Sequence, residues 1–238
     1  MESLSSISRA EPDRVEVRGR DLAGELMGRL TFTEYFHLLL TGHEPSDDER
    51  FFLDLVLVSI AEHGLMPSNV AARMTLAADP ESLQGAVAAG ILGAGTVILG
   101  AAGECAELLA DAQSRGAAAV VRELHAAGGR VPGFGHPLHK PLDPRAERVL
   151  ALSDERGVSG ANVALTRELR DVVAAIYGKR LTLNLSLPLA AVLLDLGYAP
   201  VVVRAVPILA RTAGLLAHLA EEQERPIGFL LAARAADE

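Results

Sequence analysis

Apolar residues recur at helical spacing along most of this chain, and the runs are separated by glycine, proline and Asp-Pro steps. A strand pattern occurs once: "RVEVRG" alternates over residues 15–17 and meets a turn signal at Gly19. Beyond it the pattern predicts helices. "TFTEYFHLLLTG" offers Thr31 or Thr33 as N-cap and Gly42 as its stop. "PSDDERFFLDLVLVSIAEHG" offers Ser46 as cap, puts Asp47 and Asp48 in the first turn, where they favour the helix dipole, and ends at Gly64. "PSNVAARMTLAA" reads as a shorter helix, and "DPESLQGAVAAGILGAGTVILG" as one opened by an Asp-Pro cap. "ECAELLADAQSRGAAAVVRELHAAGG" is amphipathic, with a break near Gly116 and a stop at Gly128 and Gly129. After a loop, helices are predicted in "PRAERVLALSDERG", "ANVALTRELRDVVAAIYGKR", "NLSLPLAAVLLDLG" and "APVVVRAVPILARTAGLLAHLAEEQE". The predicted class is all-α, with one or two short strands at most. No repeat, low-complexity tract or linker is evident, so any lobes interrupt one another rather than follow in series.

Composition changes this picture in three places. Residues 85–103 carry no charge, and their length alone would permit a membrane span of ~20 residues. Glycine and alanine dominate the run and neither flank has an aromatic belt or a basic cluster, so a buried, tightly packed helix is expected and no membrane partner. The net charge of −9 argues against a nucleic-acid partner, which needs a basic face, and leaves the arginines to act locally on a small anion. Cys105 is alone, which excludes an intrachain disulfide and a cysteine-only metal site and fits a reducing cytoplasm. The first twenty residues have charges and no apolar core, so no leader is expected. At 238 residues, half of them apolar, the chain can bury one large core or two lobes.

The stretch "VPGFGHPLHKPLDPRA" concentrates more backbone control than a connection needs. Gly133 and Gly135 allow close approach to a ligand or a positive φ. Pro132, Pro137, Pro141 and Pro144 fix the chain around them. His136 and His139 can act as acid, base or donor near neutral pH, and Arg145 has the fork geometry that suits a carboxylate. The competing reading is a helix connection with exposed histidines and Asp143 as N-cap; it suits His139 alone, whereas the combination points to a ligand site. Elsewhere the signals are single. His63 sits at a helix end and by itself reads as a cap or a packed histidine. Arg211 lies in an apolar helix, where an unpaired guanidinium is costly, so something anionic should face it; Glu221 and Glu222 are too far along the helix. Arg225, before Pro226, reads as a solvated helix end.

Taken in order, these segments resemble the citrate synthase superfamily, which includes the citryl-CoA lyases. "GFGH" and "DPRA" look like that family's signature loop, and "RGRDLAGELMGRLTFTEYFHLLLTGHEPSDDE", "AEHGLMPSNVAAR" and "AVPILARTAGLLAHLAEEQERP" are similar to its flanking segments. The resemblance implies an all-α homodimer. A large lobe, residues 1–103 and 187–238, would be interrupted by a small one, 104–186, with the active site in the cleft between them. It implies that His63 and His136 contact an oxo acid such as oxaloacetate and that Arg145 and Arg211 hold its carboxylates. Arg225 would reach the partner's site, and Val131, Gly133, Gly135 and Lys140 would lie along coenzyme A. The partners implied are a di- or tricarboxylate and a coenzyme A thioester as substrate, with no metal.

Two positions depart from the family pattern. The histidine of its "GPLHGGA" segment aligns with Leu99, and its catalytic aspartate aligns with Ser186, although Asn184 is retained. A lost donor to an enolate oxygen costs about 2.7–4 kcal/mol of transition-state stabilisation. A lost general base costs roughly 100- to 10,000-fold in rate. Citrate synthesis should therefore be poor. Cleavage of a citryl-CoA-like 3-hydroxyacyl thioester to acetyl-CoA and an oxo acid is the expected activity, with His136 as base on the hydroxyl and Ser186, or water it holds, reprotonating the enolate. The alternatives are a non-catalytic carboxylate-binding protein, a retro-aldol lyase for another citrate-like acid, and a synthase with an altered base.

Overall fold

The computed structural model describes residues 4–236; Met1–Ser3, part of the stretch read above for a leader, and Asp237–Glu238 lie outside the described residues. Two compact units are distinguished, with a boundary after Asp54.

The N-terminal unit opens with an antiparallel sheet of three short strands, β1 (Ser8–Ala10), β2 (Val15–Val17) and β3 (Arg20–Asp21), one more than the pattern predicts. The extra strand, β1, is exposed along its length and so carries no hydrophobic alternation to read. Val17 pairs with Arg20, leaving Arg18 and Gly19, both at positive φ, as a two-residue hairpin turn. Helix α1 (Phe32–Thr41) is capped reciprocally by Thr31 and Glu34 and stops at Gly42 in the left-handed region. At α2 (Asp47–Ala61), whose residues from Leu55 on belong to the second unit, the Ser46 hydroxyl accepts from the Glu49 N–H, while the Glu49 carboxylate accepts from the Ser46 N–H. The helix ends three residues before the predicted stop at Gly64. Val17, Leu26 and Leu38 form the core of this unit.

The second unit is helical: α3 (Pro67–Ala78), α4 (Leu83–Leu99), α5 (Ala101–Arg115), α6 (Ala117–Ala126), α7 (Pro144–Glu155), α8 (Ala161–Tyr177), α9 (Ser186–Asp195), α10 (Pro200–Glu224) and α11 (Gly228–Ala236). Helix α9 is its centre, buried from Leu187 to Leu193 and packed on α5, α7 and α8. Helix α10 packs on α3, α4 and α5. Two expectations for the uncharged run need correction. Its cap is Ser82, not the Asp-Pro step, because Asp79 and Pro80 are still closing α3. Nor is it one buried helix: Gly95 departs from helical geometry, and Leu92 and Val97 are exposed. By length and composition alone, residues 83–115 and α10 could each cross a membrane.

Candidate carboxylate site

The site is assembled by backbone pairing between two segments far apart in sequence. Phe134 bridges Leu183 antiparallel, the Gly135 N–H donates to the Thr182 carbonyl (2.7 Å), and the Asn184 N–H donates to the Gly133 carbonyl (2.9 Å). The Asn184 side chain adds a bond to the Gly135 carbonyl (3.0 Å) and accepts from the Ser186 N–H (3.0 Å), placing Ser186 at the start of α9. Gly133, at φ 81°, has no room for a side chain: a Cβ would collide with Leu187, with Cys105 Sγ next nearest on the other side. Its glycine is thus explained by packing against α9 rather than by a ligand.

Beneath this loop, Asp143 organises the charged side. It is fully buried and caps α7 by accepting the Arg145 N–H (3.0 Å). The same carboxylate takes Arg145 Nε on one oxygen (3.0 Å) and Nη2 on the other (2.9 Å), and accepts the Leu185 N–H (3.3 Å). Burial pushes the Asp143 carboxyl up, but Arg145 outweighs it and holds the group below its ordinary range. Asp143 is therefore more than the cap read from the sequence: it aims Arg145.

A cavity of about 370 Å³ opens above these groups. His63, Gly135, His136, Arg145, Ser186 and Arg211 all line it. Val131 and Gly133 do not; both are buried under the loop. Lys140 is exposed outside the cavity, and so is Arg225, the C-cap residue of α10. Leu99 is itself buried and does not line the cavity, while its neighbours Val97, Ile98, Ala101 and Ala102 supply apolar lining. Among the described residues no Asp or Glu lines the cavity.

Arg211 is the most informative group. It is 4 % exposed, and Nε and Nη1 have no hydrogen-bond partner among the described residues. His63 and His139 each leave a buried Nε2 without a partner. The three imidazoles converge, with ring centroids 5.6 Å apart for His63–His136 and His63–His139 and 4.4 Å for His136–His139. His136 Nδ1 accepts from the N–H groups of Leu138 (3.1 Å) and His139 (2.9 Å), so the neutral ring carries its proton on Nε2. Burial, then His139, with Arg145 and His63 adding to them, push the His136 pKa below the ordinary histidine value. For His63 the causes are burial, then Arg145, His139 and Arg211. Both shifts favour the neutral ring.

This geometry suits an anion. The ligand atoms of His63, His136 and His139 lie within 4.8 Å of one another, the reach of a metal cluster. But His136 would have to give up the Nδ1 acceptor role its loop imposes, and two guanidinium groups face the same space. In the N-terminal unit, His37, His43 and Glu49 also converge. There His43 Nδ1 meets the Glu44 carbonyl (3.0 Å) and His37 Nε2 (3.4 Å), so hydrogen bonding accounts for the cluster.

An all-α fold thus gathers two guanidinium groups and two imidazoles around one cavity. Comparison with known proteins gives the lineage. The family model described as "Citrate synthase, C-terminal domain" matches residues 13–228, and the chain belongs to the citrate synthase family. It is 29 % identical over 199 residues to the citrate synthase of Heyndrickxia coagulans, covering 82 % of this chain and 53 % of that protein. The chain thus spans about half the length of the citrate synthase it matches. It is also similar to the citryl-CoA lyase of Hydrogenobacter thermophilus, at TM-score 0.85 and 28 % identity, covering 93 % of this chain and 87 % of that one. The ATP citrate lyase of Methanothrix soehngenii, solved with citrate and coenzyme A, shares the fold at TM-score 0.80 and 21 % identity, covering 94 % of this chain and 39 % of that one.

Proposed function

We propose that the protein binds a di- or tricarboxylate in this cavity and cleaves a citryl-CoA-like 3-hydroxyacyl thioester to acetyl-CoA and an oxo acid such as oxaloacetate. The observation that carries the reading is the buried guanidinium of Arg211, two of whose nitrogens have no hydrogen-bond partner among the described residues, lining the same cavity as Arg145, His63 and His136. Arg145, Arg211 and His63 hold the carboxylates. The expected role of His136 changes: with Nδ1 occupied, it donates from Nε2 to the hydroxyl oxygen rather than taking its proton. That donor stabilises negative charge on the oxygen as its proton leaves to water. The carbon–carbon bond then breaks, its electron pair passes to the thioester enolate, and the enolate takes a proton from water held by Ser186.

Coenzyme A is read along Gly135 and Lys140, the two exposed positions of the expected set. The two-lobe division belongs to this reading, supported by cavity residues drawn from both stretches. So does a homodimer in which Arg225 reaches the partner's site; exposed apolar side chains on α4 and α10, such as Leu92 and Val201, support it. A second reading, a carboxylate-binding protein without turnover, is favoured by the absence of any Asp or Glu among the described cavity residues.

Mass-spectrometric product analysis with citryl-CoA separates the two. Acetyl-CoA and oxaloacetate from the wild type, lost in His136→Ala, are expected of the lyase. No turnover by the wild type, with activity gained in Ser186→Asp, would establish the binding protein instead.

A further inference from the structure

Arg211, Gly214 and His218 recur on one face of α10, three and then four residues apart. Only Arg211 lines the cavity. The other two meet the short segment that carries His63. At Gly214 the helix lies against the end of α2 so closely that a Cβ would collide with the Ala61 carbonyl oxygen; the next nearest side-chain atom is Glu62 Oε2, at 3.3 Å. One turn on, His218 Nε2 lies 2.9 Å from Glu62 Oε2. The other oxygen of Glu62 accepts the N–H groups of His63 (2.9 Å) and Gly64 (2.6 Å). Asn69 Nδ2 donates to the Gly64 carbonyl (2.7 Å) and, at longer range, to the same Glu62 oxygen (3.4 Å).

His218 is itself held from behind. Arg73, 1 % exposed, donates from Nε to His218 Nδ1 (3.1 Å). This directs the imidazole proton to Nε2, the atom that faces Glu62. Arg73 in turn pairs with the buried Glu222 (2.8 Å) and with Glu221. Glu222 also accepts the N–H groups of Ile227 (2.8 Å) and Gly228 (2.6 Å), where the chain enters α11. The result is a continuous hydrogen-bonded chain from α11 through the buried Glu222 and Arg73 and the half-buried His218 to the exposed Glu62 and the backbone of His63. Burial pushes the Glu62 carboxyl up, yet the His218 N–H and the Gly64 amide hold it below its ordinary range, as expected of a carboxylate kept charged in this chain.

We infer that Gly214 and His218 are positioning residues for His63. One face of α10 sets the cavity's geometry twice: directly through Arg211, and through the His218–Glu62 clamp on the His63 turn. The inference rests on the reading that this cavity takes a carboxylate. It gives His218, Glu62 and Gly214 a role in affinity although none of them reaches the cavity. A helix that holds both groups keeps their separation fixed, which is what a rigid dicarboxylate subsite requires.

The test is a double-mutant cycle on the full chain, with citrate as the probe and binding measured by calorimetry. His218→Ala should weaken citrate by about tenfold, the scale of one lost hydrogen bond to a charged group. His218→Gln, which keeps a donor and an acceptor, should recover most of that loss. In a His63→Ala background, His218→Ala should weaken citrate no further. Independent, multiplying losses would overturn the inference, and so would wild-type affinity in His218→Ala. If the wild type does not bind citrate, the carboxylate reading fails by itself, and nitrogen-15 histidine NMR decides the positioning. His218→Ala and Glu62→Gln, both expected to keep the wild-type circular dichroism, should then shift or broaden the His63 ring signals, and His218→Gln should shift them less; unchanged signals in the first two would overturn it.

Discussion

Two arginines line one cavity, and they are held in opposite ways. Arg145 belongs to the loop wall, where Asp143 takes its guanidinium on both oxygens and the backbone of residues 133–135 is laced to residues 182–184. Arg211 belongs to α10, is more deeply buried, and leaves two nitrogens without a partner among the described residues. The loop wall is complete before any ligand arrives; the helix wall is complete only with one. A buried cation with two nitrogens free of hydrogen bonds, offset only by the charge of the nearby Glu62, lowers stability, and an arriving carboxylate recovers that cost as affinity.

The sharpest way to break the comparison is Arg211→Ala. Citrate affinity should fall by about 100-fold, as two charge-assisted bonds are lost, while the midpoint of urea unfolding without ligand should stay level or rise. A fall in ligand-free stability would mean that Arg211 is already satisfied. Next in size is Asp143→Ala, which strips the loop wall of its organiser and leaves Arg145 facing His63 and His136 alone. Urea unfolding should show a loss of about 3 kcal/mol. Were the loss no more than a helix cap's ~1 kcal/mol, Asp143 would be a cap and nothing else.

Proton linkage gives a third, smaller effect. His63 and His136 are both held below the ordinary histidine value, chiefly by burial and then by neighbouring imidazoles and Arg145. Below pH ~6.5 the unfolded chain then binds more protons than the folded one. Ligand-free stability should be full above that pH and decline as pH falls through the lower folded values. Citrate favours the imidazolium forms, so with it bound the decline should be shallower in a thermal scan; identical pH profiles would separate the histidines from the ligand. The smallest effect belongs to Lys140→Ala. An exposed lysine should change coenzyme A ester binding by no more than about threefold in calorimetry, with the difference vanishing at high salt.

The helices were legible because each ends on local chemistry: Thr31 with Glu34, Ser46 with Glu49, and Gly42 all sit where the pattern puts them. What failed was also local in origin. The Asp79-Pro80 step reads as a cap, but it closes the preceding helix, and the uncharged run conceals the departure at Gly95. Of the expected site, His63, His136, Arg145, Ser186 and Arg211 do share a cavity, whereas Val131 and Gly133 serve packing. Asp143 was visible only as a cap, because a carboxylate two residues before an arginine says nothing about which way either turns. Glu62 and His218 gave no usable signal at all.

The sequence by itself determined the helical class, the residue types of the cavity and the family, since caps, periodicity and short motifs are encoded within a few neighbours. It also places Leu99 and Ser186 at the two positions that the resemblance aligns with the family's histidine and aspartate, since such departures are identities rather than geometries. The tertiary structure decided which nitrogen of His136 carries its proton, which arginine is paired and which waits for a ligand, and which helix holds His63 in place. The His136 proton is set by amides two and three residues on, in a loop whose backbone is laced to residues 182–184, while Asp143 meets Leu185 across 42 residues and His218 meets Glu62 across 156; only packing brings such groups together.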